Sequence, residues 1–167
     1  SNIAVLLIED NPHFNMIIRT VLAGLGIKHV YESKEPVKAL ELIYQYNIDL
    51  VITDLNMPFF DGFEIIDMIR NAKDSRNPYV PIVVLSAFSS KANVERVRDA
   101  GADYFLVKPL VPADLAEVMT KLILSEDRQF VRSKTYFGPD RRRAGRPDYV
   151  GEERRAPDPS LPQGGSV

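Results

Sequence analysis

Four runs in this chain are apolar at nearly every position instead of at every second one: Ile3-Ala4-Val5-Leu6-Leu7-Ile8, Leu50-Val51-Ile52-Thr53, Ile82-Val83-Val84-Leu85 and Tyr104-Phe105-Leu106-Val107. Successive side chains of a strand point to opposite faces, so a run of this kind is a strand covered on both sides. Parallel sheets sandwiched between helices provide that cover, because each return crossover lays a helix on one face or the other.

The segments between the runs carry the matching helical signal. Phe14, Ile17, Ile18, Val21, Leu22 and Leu25 recur at the spacing that lines one face of a helix, with Pro12 suited to its first turn and Gly24 and Gly26 to its stop. A second short strand is expected at Lys28 to Glu32, followed by a helix at Pro36 to Tyr46 built on Val37, Leu40, Ile43 and Tyr44. Further helices are expected at Gly62 to Asn71, Lys91 to Ala100 and Pro112 to Leu124. Five βα units result. They imply an α/β fold with a doubly wound, five-stranded parallel sheet in the flavodoxin-like order 2-1-3-4-5, followed by an irregular C-terminal tail.

Composition narrows the function classes. The chain has 167 residues and no cysteine, so disulfides and thiolate metal sites are excluded. No apolar run approaches the roughly 20 residues that cross a bilayer, and the chain opens with no basic segment followed by an apolar stretch. A cytoplasmic protein without membrane insertion is expected. Residues 1–124 hold 12 Lys/Arg against 16 Asp/Glu, a net −4, whereas residues 125–167 hold 9 against 7, a net +2. A mildly acidic body lacks the broad positive field of a duplex-binding domain, which disfavours nucleic acid as a partner.

The polar residues at the strand ends point to a site. Glu9-Asp10 follows the first run, Asp54 the second, Ser86 the third and Lys108 the fourth. In open α/β sheets ligands bind outside the carboxyl ends of the strands, and the order 2-1-3-4-5 sets strands 1 and 3 side by side, about 4.8 Å apart. Glu9, Asp10 and Asp54 thereby become neighbours. Clustered carboxylates repel one another and raise their own pKa values unless a cation lies among them. Oxygen ligands plus a phosphoryl group suit Mg2+. His13 and His29 have no second histidine at ligand spacing and are read as surface or helix-start residues.

Five motifs then resemble, in order and spacing, the receiver domains of bacterial two-component response regulators: Ile8-Glu9-Asp10-Asn11, Thr53-Asp54-Leu55-Asn56-Met57-Pro58 with Asp61-Gly62, Leu85-Ser86-Ala87, Gly101-Ala102 and Lys108-Pro109. The resemblance covers residues 3–124. It implies that Asp54 is the phosphoacceptor for a histidine kinase or phosphotransfer protein, and that Glu9, Asp10, Asp54 and the backbone carbonyl of Asn56 hold Mg2+. It further implies that Lys108 pairs with the phosphoryl oxygens, that Ser86 hydrogen-bonds to one of them, that Phe105 is the switch aromatic and that Lys108-Pro109 is cis. Three positions depart from the commonest pattern: Glu9 stands for an aspartate, Ser86 for a threonine and Phe105 for a tyrosine, so no phenolic hydroxyl takes part in switching. Phe105 also reads as plain core. On this resemblance the chain is a single-domain response regulator, a phosphoacceptor signalling protein and not an enzyme, whose output passes to a downstream protein target by direct contact.

Two domains are expected: a receiver at residues 1–124 and a Pro/Gly/Arg-rich tail at 125–167 with too few aliphatics for a second core. Within the tail, Tyr136-Phe137-Gly138-Pro139-Asp140-Arg141-Arg142 is echoed 13 residues later by Tyr149-Val150-Gly151-Glu152-Glu153-Arg154-Arg155. An aromatic-x-Gly-x-acid-Arg-Arg unit occurring twice suggests docking arms. The alternative is a receiver whose tail arginines bind nucleic acid or a phosphorylated ligand. An aspartate-nucleophile phosphatase would share the magnesium and lysine chemistry, but such enzymes carry a DxD after the first strand, where this chain has Glu-Asp. Dinucleotide and P-loop sites are excluded, since Glu9-Asp10-Asn11-Pro12 occupies the place of a glycine-rich turn.

Overall fold

A computed structural model describes residues 2–58, 60–124, 130–132, 137–139 and 149–150. Five parallel strands form the centre: β1 (Ala4–Ile8), β2 (His29–Ser33), β3 (Leu50–Asp54), β4 (Ile82–Ser86) and β5 (Tyr104–Val107). Helices α1 (Pro12–Gly24), α2 (Pro36–Gln45), α3 (Gly62–Asn71), α4 (Lys91–Ala100) and α5 (Pro112–Leu124) follow them one by one. The strands lie in the order β2-β1-β3-β4-β5, with Leu6 opposite Tyr31 and Val51, and Val84 opposite Thr53 and Phe105. This is the expected doubly wound sheet.

The period of two sorts each strand between two cores. Leu6, Ile8, Val51, Val84 and Phe105 pack with Ala39, Ile43, Ile65, Ile66, Ile69 and Val97, under α2, α3 and α4. Val5, Leu7, Ile52, Leu85 and Leu106 pack with Ile18, Leu22, Leu115, Val118 and Met119, under α1 and α5. Every residue of β1, β3 and β4 is buried, which is why those runs do not alternate in the sequence. Burying one such side chain contributes about 1.5–3 kcal/mol, so the two faces together dominate the stability of the fold.

Local signals set the helix ends, and these ends aim the site. Asn11 Oδ1 accepts hydrogen bonds from His13 N (2.9 Å) and Phe14 N (3.4 Å), and Pro12 needs no donor at the first helical position. Gly26, at φ +76°, turns the chain out of α1. Ser90 Oγ accepts from Asn93 N at the start of α4, and Gly101, at φ +107°, ends it. The Lys108-Pro109 bond is cis.

Within the segment read from sequence as an irregular tail, three short strands occur. Phe130–Arg132 pairs antiparallel with Phe137–Pro139, and Tyr149–Val150 adds to the outer edge of β5 in parallel, extending the sheet to six strands. The arginine pairs of the repeat, Arg141-Arg142 and Arg154-Arg155, lie outside the described residues. Among the described residues no helix is long and apolar enough to cross a membrane.

Candidate functional site

Backbone ladders bring the strand-end residues together. Glu9 N donates to Ser33 O (3.3 Å), Leu55 N to Leu85 O (3.0 Å) and Lys108 N to Ser86 O (2.8 Å), so the first residues beyond β1, β3 and β5 are each tied to a neighbouring strand. Glu9 and Asp54 are buried although charged, at 1% and 4% exposure. Glu9, Asp10 and Asp54 each present a carboxylate oxygen within 4.8 Å of the others.

One cation of the protein lies among them. Lys108 Nζ donates to Glu9 Oε2 at 2.7 Å and to Asp54 Oδ2 at 2.9 Å. The second oxygen of each carboxylate is held by the backbone: Asn11 N donates to Glu9 Oε1 and Asn56 N to Asp54 Oδ1, both at 3.0 Å. Glu9 is thereby oriented by two donors and Asp54 by two. Three carboxylates and one ammonium give the cluster a formal charge of −2, which a hard divalent cation with oxygen ligands would balance. The donor set therefore fits Mg2+.

Electrostatics in the cluster differ from the repulsion expected on sequence grounds. The Glu9 carboxyl is raised above its ordinary value of 4.5 chiefly because burial disfavours its charged form; the Lys108 and Asn11 hydrogen bonds pull the other way, and the neighbouring Asp54 charge adds a smaller upward push. Burial also works against the Lys108 ammonium, but hydrogen bonds and attraction from Glu9 and Asp54 outweigh it and raise Lys108 above 10.5. The lysine is firmly charged.

Ser86 is fully buried, and its Oγ accepts from Phe88 N (3.1 Å) and Asn56 Nδ2 (3.3 Å). The same loop is tied to α4, since Asn93 Nδ2 donates to Phe88 O at 2.7 Å. A chain of contacts thus runs from Ser86 through Phe88 to α4. Phe105 is 4% exposed and belongs to the core under α2, α3 and α4, so its ring is packed inside the domain. Asp61 and Gly62 act locally: Asp61 Oδ1 caps α3 by accepting from Phe63 N (2.9 Å), and Gly62 N donates to Leu55 O (3.1 Å). A Cβ at position 62 would sit 2.6 Å from the Asp54 carbonyl oxygen, so glycine is what lets α3 approach Asp54. His13 and His29 are exposed at an element start, away from ligand partners.

Two contributors escaped the sequence reading. The Phe14 ring lies under Lys108, with Nζ 4.2 Å from its centroid, a cation–π contact worth about 0.5–2 kcal/mol. Helical spacing marked Phe14 only as core; the signal available was an aromatic in the first turn directly after the acidic pair. Asn15 is the second. It is 8% exposed, and its Nδ2 donates to Glu9 O (3.1 Å), tying α1 to the loop that carries the acidic pair.

The family model described as "Response regulator receiver domain" matches residues 5–120. Chemotaxis protein CheY-3 of Vibrio cholerae is 27% identical over 122 residues, 72% of this chain and 92% of that protein. Transcriptional regulatory protein PdtaR of Mycobacterium tuberculosis is 40% identical over 111 residues, 66% of this chain but 52% of that protein. Among solved structures, the receiver domain of sensor histidine kinase PA1611 from Pseudomonas aeruginosa, which has a magnesium ion coordinated in its active site cleft, is 28% identical with a TM-score of 0.64, covering 75% of this chain and all of that one.

Proposed function

Since the chain belongs to the response regulator receiver domain family, we propose that it is a phosphoacceptor signalling protein that takes a phosphoryl group on Asp54 from a histidine kinase or phosphotransfer protein. The observation that carries this reading is Lys108 Nζ held 2.7 Å from Glu9 and 2.9 Å from Asp54 beside Asp10, a nucleophilic carboxylate with a cation already in place. An oxygen of Asp54 attacks phosphorus, the bond from phosphorus to the donor breaks, and the donor leaves with the electron pair and takes up a proton. The product is an acyl phosphate. Such transfers depend on positioning and charge neutralisation more than on covalent participation by other groups.

The residues divide that work. Glu9, Asp10, Asp54 and the Asn56 carbonyl would hold Mg2+, which when bound offsets the charge of the carboxylates and of the incoming phosphoryl oxygens. Lys108 supplies the second positive charge, and Phe14 and Glu9 keep its ammonium at the site while the Asp54 charge is consumed. Ser86 is the reader: its hydroxyl leaves Phe88 N and Asn56 to meet a phosphoryl oxygen, and that movement pulls on the loop joined to α4 through Asn93. Phe105 reports the shift from within the core. The receiver unit is residues 1–124, the tail is 125–167, the setting is cytoplasmic, and the output is contact with a downstream protein target. The nucleic-acid alternative depends on arginines outside the described residues and gains nothing from the site.

Incubation with acetyl phosphate and Mg2+, followed by mass spectrometry and mobility-shift electrophoresis, tests the reading. Asp54 is expected to gain one phosphoryl group, Asp54→Ala none, and chelation of Mg2+ should suppress labelling. Labelling of Asp54→Ala equal to the parent would sink the assignment. Ser86→Ala should still be labelled while losing the exchange changes along Lys91–Ala100 that labelling causes in the parent; equal changes would remove Ser86 from the relay.

A further inference from the structure

The tail repeat, which the phosphoryl site does not use, contributes residues to a strand in each of its two copies. Phe137–Pro139, inside the first copy, pairs antiparallel with Phe130–Arg132, joining Phe137 to Arg132 and Gly138 to Val131. Tyr149–Val150, the start of the second copy, pairs in parallel with β5, joining Tyr149 to Phe105 and Val150 to Leu106. Each copy thus places part of its sequence in a strand, with Phe137 and Val150 at the shared position, and each strand adds to a different partner. The chemistry of Tyr149-Val150 suits that: an aromatic and a β-branched residue favour extended backbone.

The surface it meets is equally specific. Without the tail, β5 is the outer strand of the sheet, and an outer strand presents a row of backbone donors and acceptors that invites another strand. We propose that the β5 edge is a strand-docking surface whose occupant is Tyr149–Val150, at the start of the second copy of the tail repeat, added in cis by β-augmentation. Backbone pairing supplies the affinity, and any partner that uses this edge must displace Tyr149–Val150 or present a comparable extended segment. Docking at β5 stands independently of the phosphoryl reading. Its link to signalling rests on that reading, because Phe105, the register partner of Tyr149, is the assigned switch position.

Proline tests the docking with an internal control. In a strand, adjacent residues aim their N–H groups to opposite sides, so of Tyr149 and Val150 one faces β5 and the other faces away. Proline removes the N–H and is tolerated on an edge strand only where that group faces outward. Full-length Tyr149→Pro and Val150→Pro are compared with the parent by amide hydrogen exchange at Phe105–Leu106 and at the tail. At least one variant should exchange about threefold to tenfold faster at both places, the weight of one or two backbone hydrogen bonds. A synthetic peptide spanning residues 146–153, added to that variant, should restore protection at Phe105–Leu106. Parent-like exchange in both variants, or no restoration by the peptide, would overturn the proposal. Labelling of Asp54 by acetyl phosphate is scored on the same samples, so that a failure of the receiver reading shows separately.

Discussion

Among the described residues two buried charged clusters lie at opposite ends of the sheet, one neutral and one with charge left over, and they are built on contrary principles. At the amino ends of β4 and β5, Arg70 is 1% exposed and its guanidinium is spread over four acceptors: Nε donates to Gly101 O (3.0 Å), Nη1 to Pro78 O (2.8 Å) and Val80 O (2.7 Å), and Nη2 to Asp103 Oδ2 (3.1 Å). Asp103 Oδ2 also accepts from Ile82 N at 2.9 Å. One positive and one negative charge balance there. At the carboxyl ends a single ammonium serves two buried carboxylates beside a third, leaving −2. A balanced and saturated buried pair holds loops together; an unbalanced one keeps its capacity to bind. Burial alone does not distinguish structure from function, whereas the charge left over does.

The largest effect should come from the balanced end. Arg70→Ala removes the buried cation beside Asp103 and the guanidinium donors to three carbonyls, and is expected to cost about 3–5 kcal/mol in urea unfolding, with or without Mg2+. Lys108→Ala at the other end should cost less, about 1–3 kcal/mol in chelator. Mg2+ should then stabilise the parent by about 2.7 kcal/mol at 100 times its Kd, and should stabilise Asp10→Ala hardly at all. If Lys108→Ala is as damaging as Arg70→Ala when Mg2+ is present, the contrast between the ends is false.

A smaller effect should follow at Phe14. Phe14→Leu keeps apolar bulk but removes the ring beneath Lys108, and should slow labelling of Asp54 by up to about tenfold, given the energy of a partly desolvated cation–π contact. Phe14→Tyr should restore the rate. A leucine variant with the parent's rate would reduce Phe14 to packing.

The smallest effects are in the pH dependence of stability, measured without Mg2+. Lys108 is raised, so its contribution is complete below its ordinary value of 10.5 and is lost as pH rises through the higher folded value; Lys108→Met should flatten that alkaline limb. Glu9 is also raised, but it is an acid. The folded state therefore binds its proton more readily than the unfolded one, and stability falls as pH climbs from 4.5 toward the folded value. Glu9→Gln should remove that fall. Arg70→Ala should leave both limbs in place, since no comparable excess charge exists at its end.

Much of this was legible in the chain. The limits of α3, α4 and α5 fall where sequence placed them, because Asp61, Ser90, Gly101 and Pro112 act on their own neighbours. The parallel sheet followed from unbroken apolar runs, which leave no solvated face; its order was taken from the common doubly wound arrangements, and that order made the strand-end residues neighbours. Arg70 was illegible: in sequence it is one more arginine on an amphipathic helix, and only the return of the Pro78–Val80 and Gly101–Asp103 loops encloses it. Phe14 was half legible, as an apolar residue without its partner 94 positions away.

Local rules therefore determined by themselves which residues form the five central strands and the five helices, roughly where those elements stop, and which polar groups wait at the strand ends, since periodicity, caps and turns act over a few residues. Tertiary structure decided which charges meet, and in what proportion. Lys108 joins Glu9 and Asp54 across 99 and 54 residues of chain, and Tyr149 finds Phe105 across 44, through contacts that exist only once the sheet has been assembled. Sequence carries the separations of such groups along the chain but not their distances in space, and distance is what sets a Coulomb energy or closes a backbone hydrogen bond.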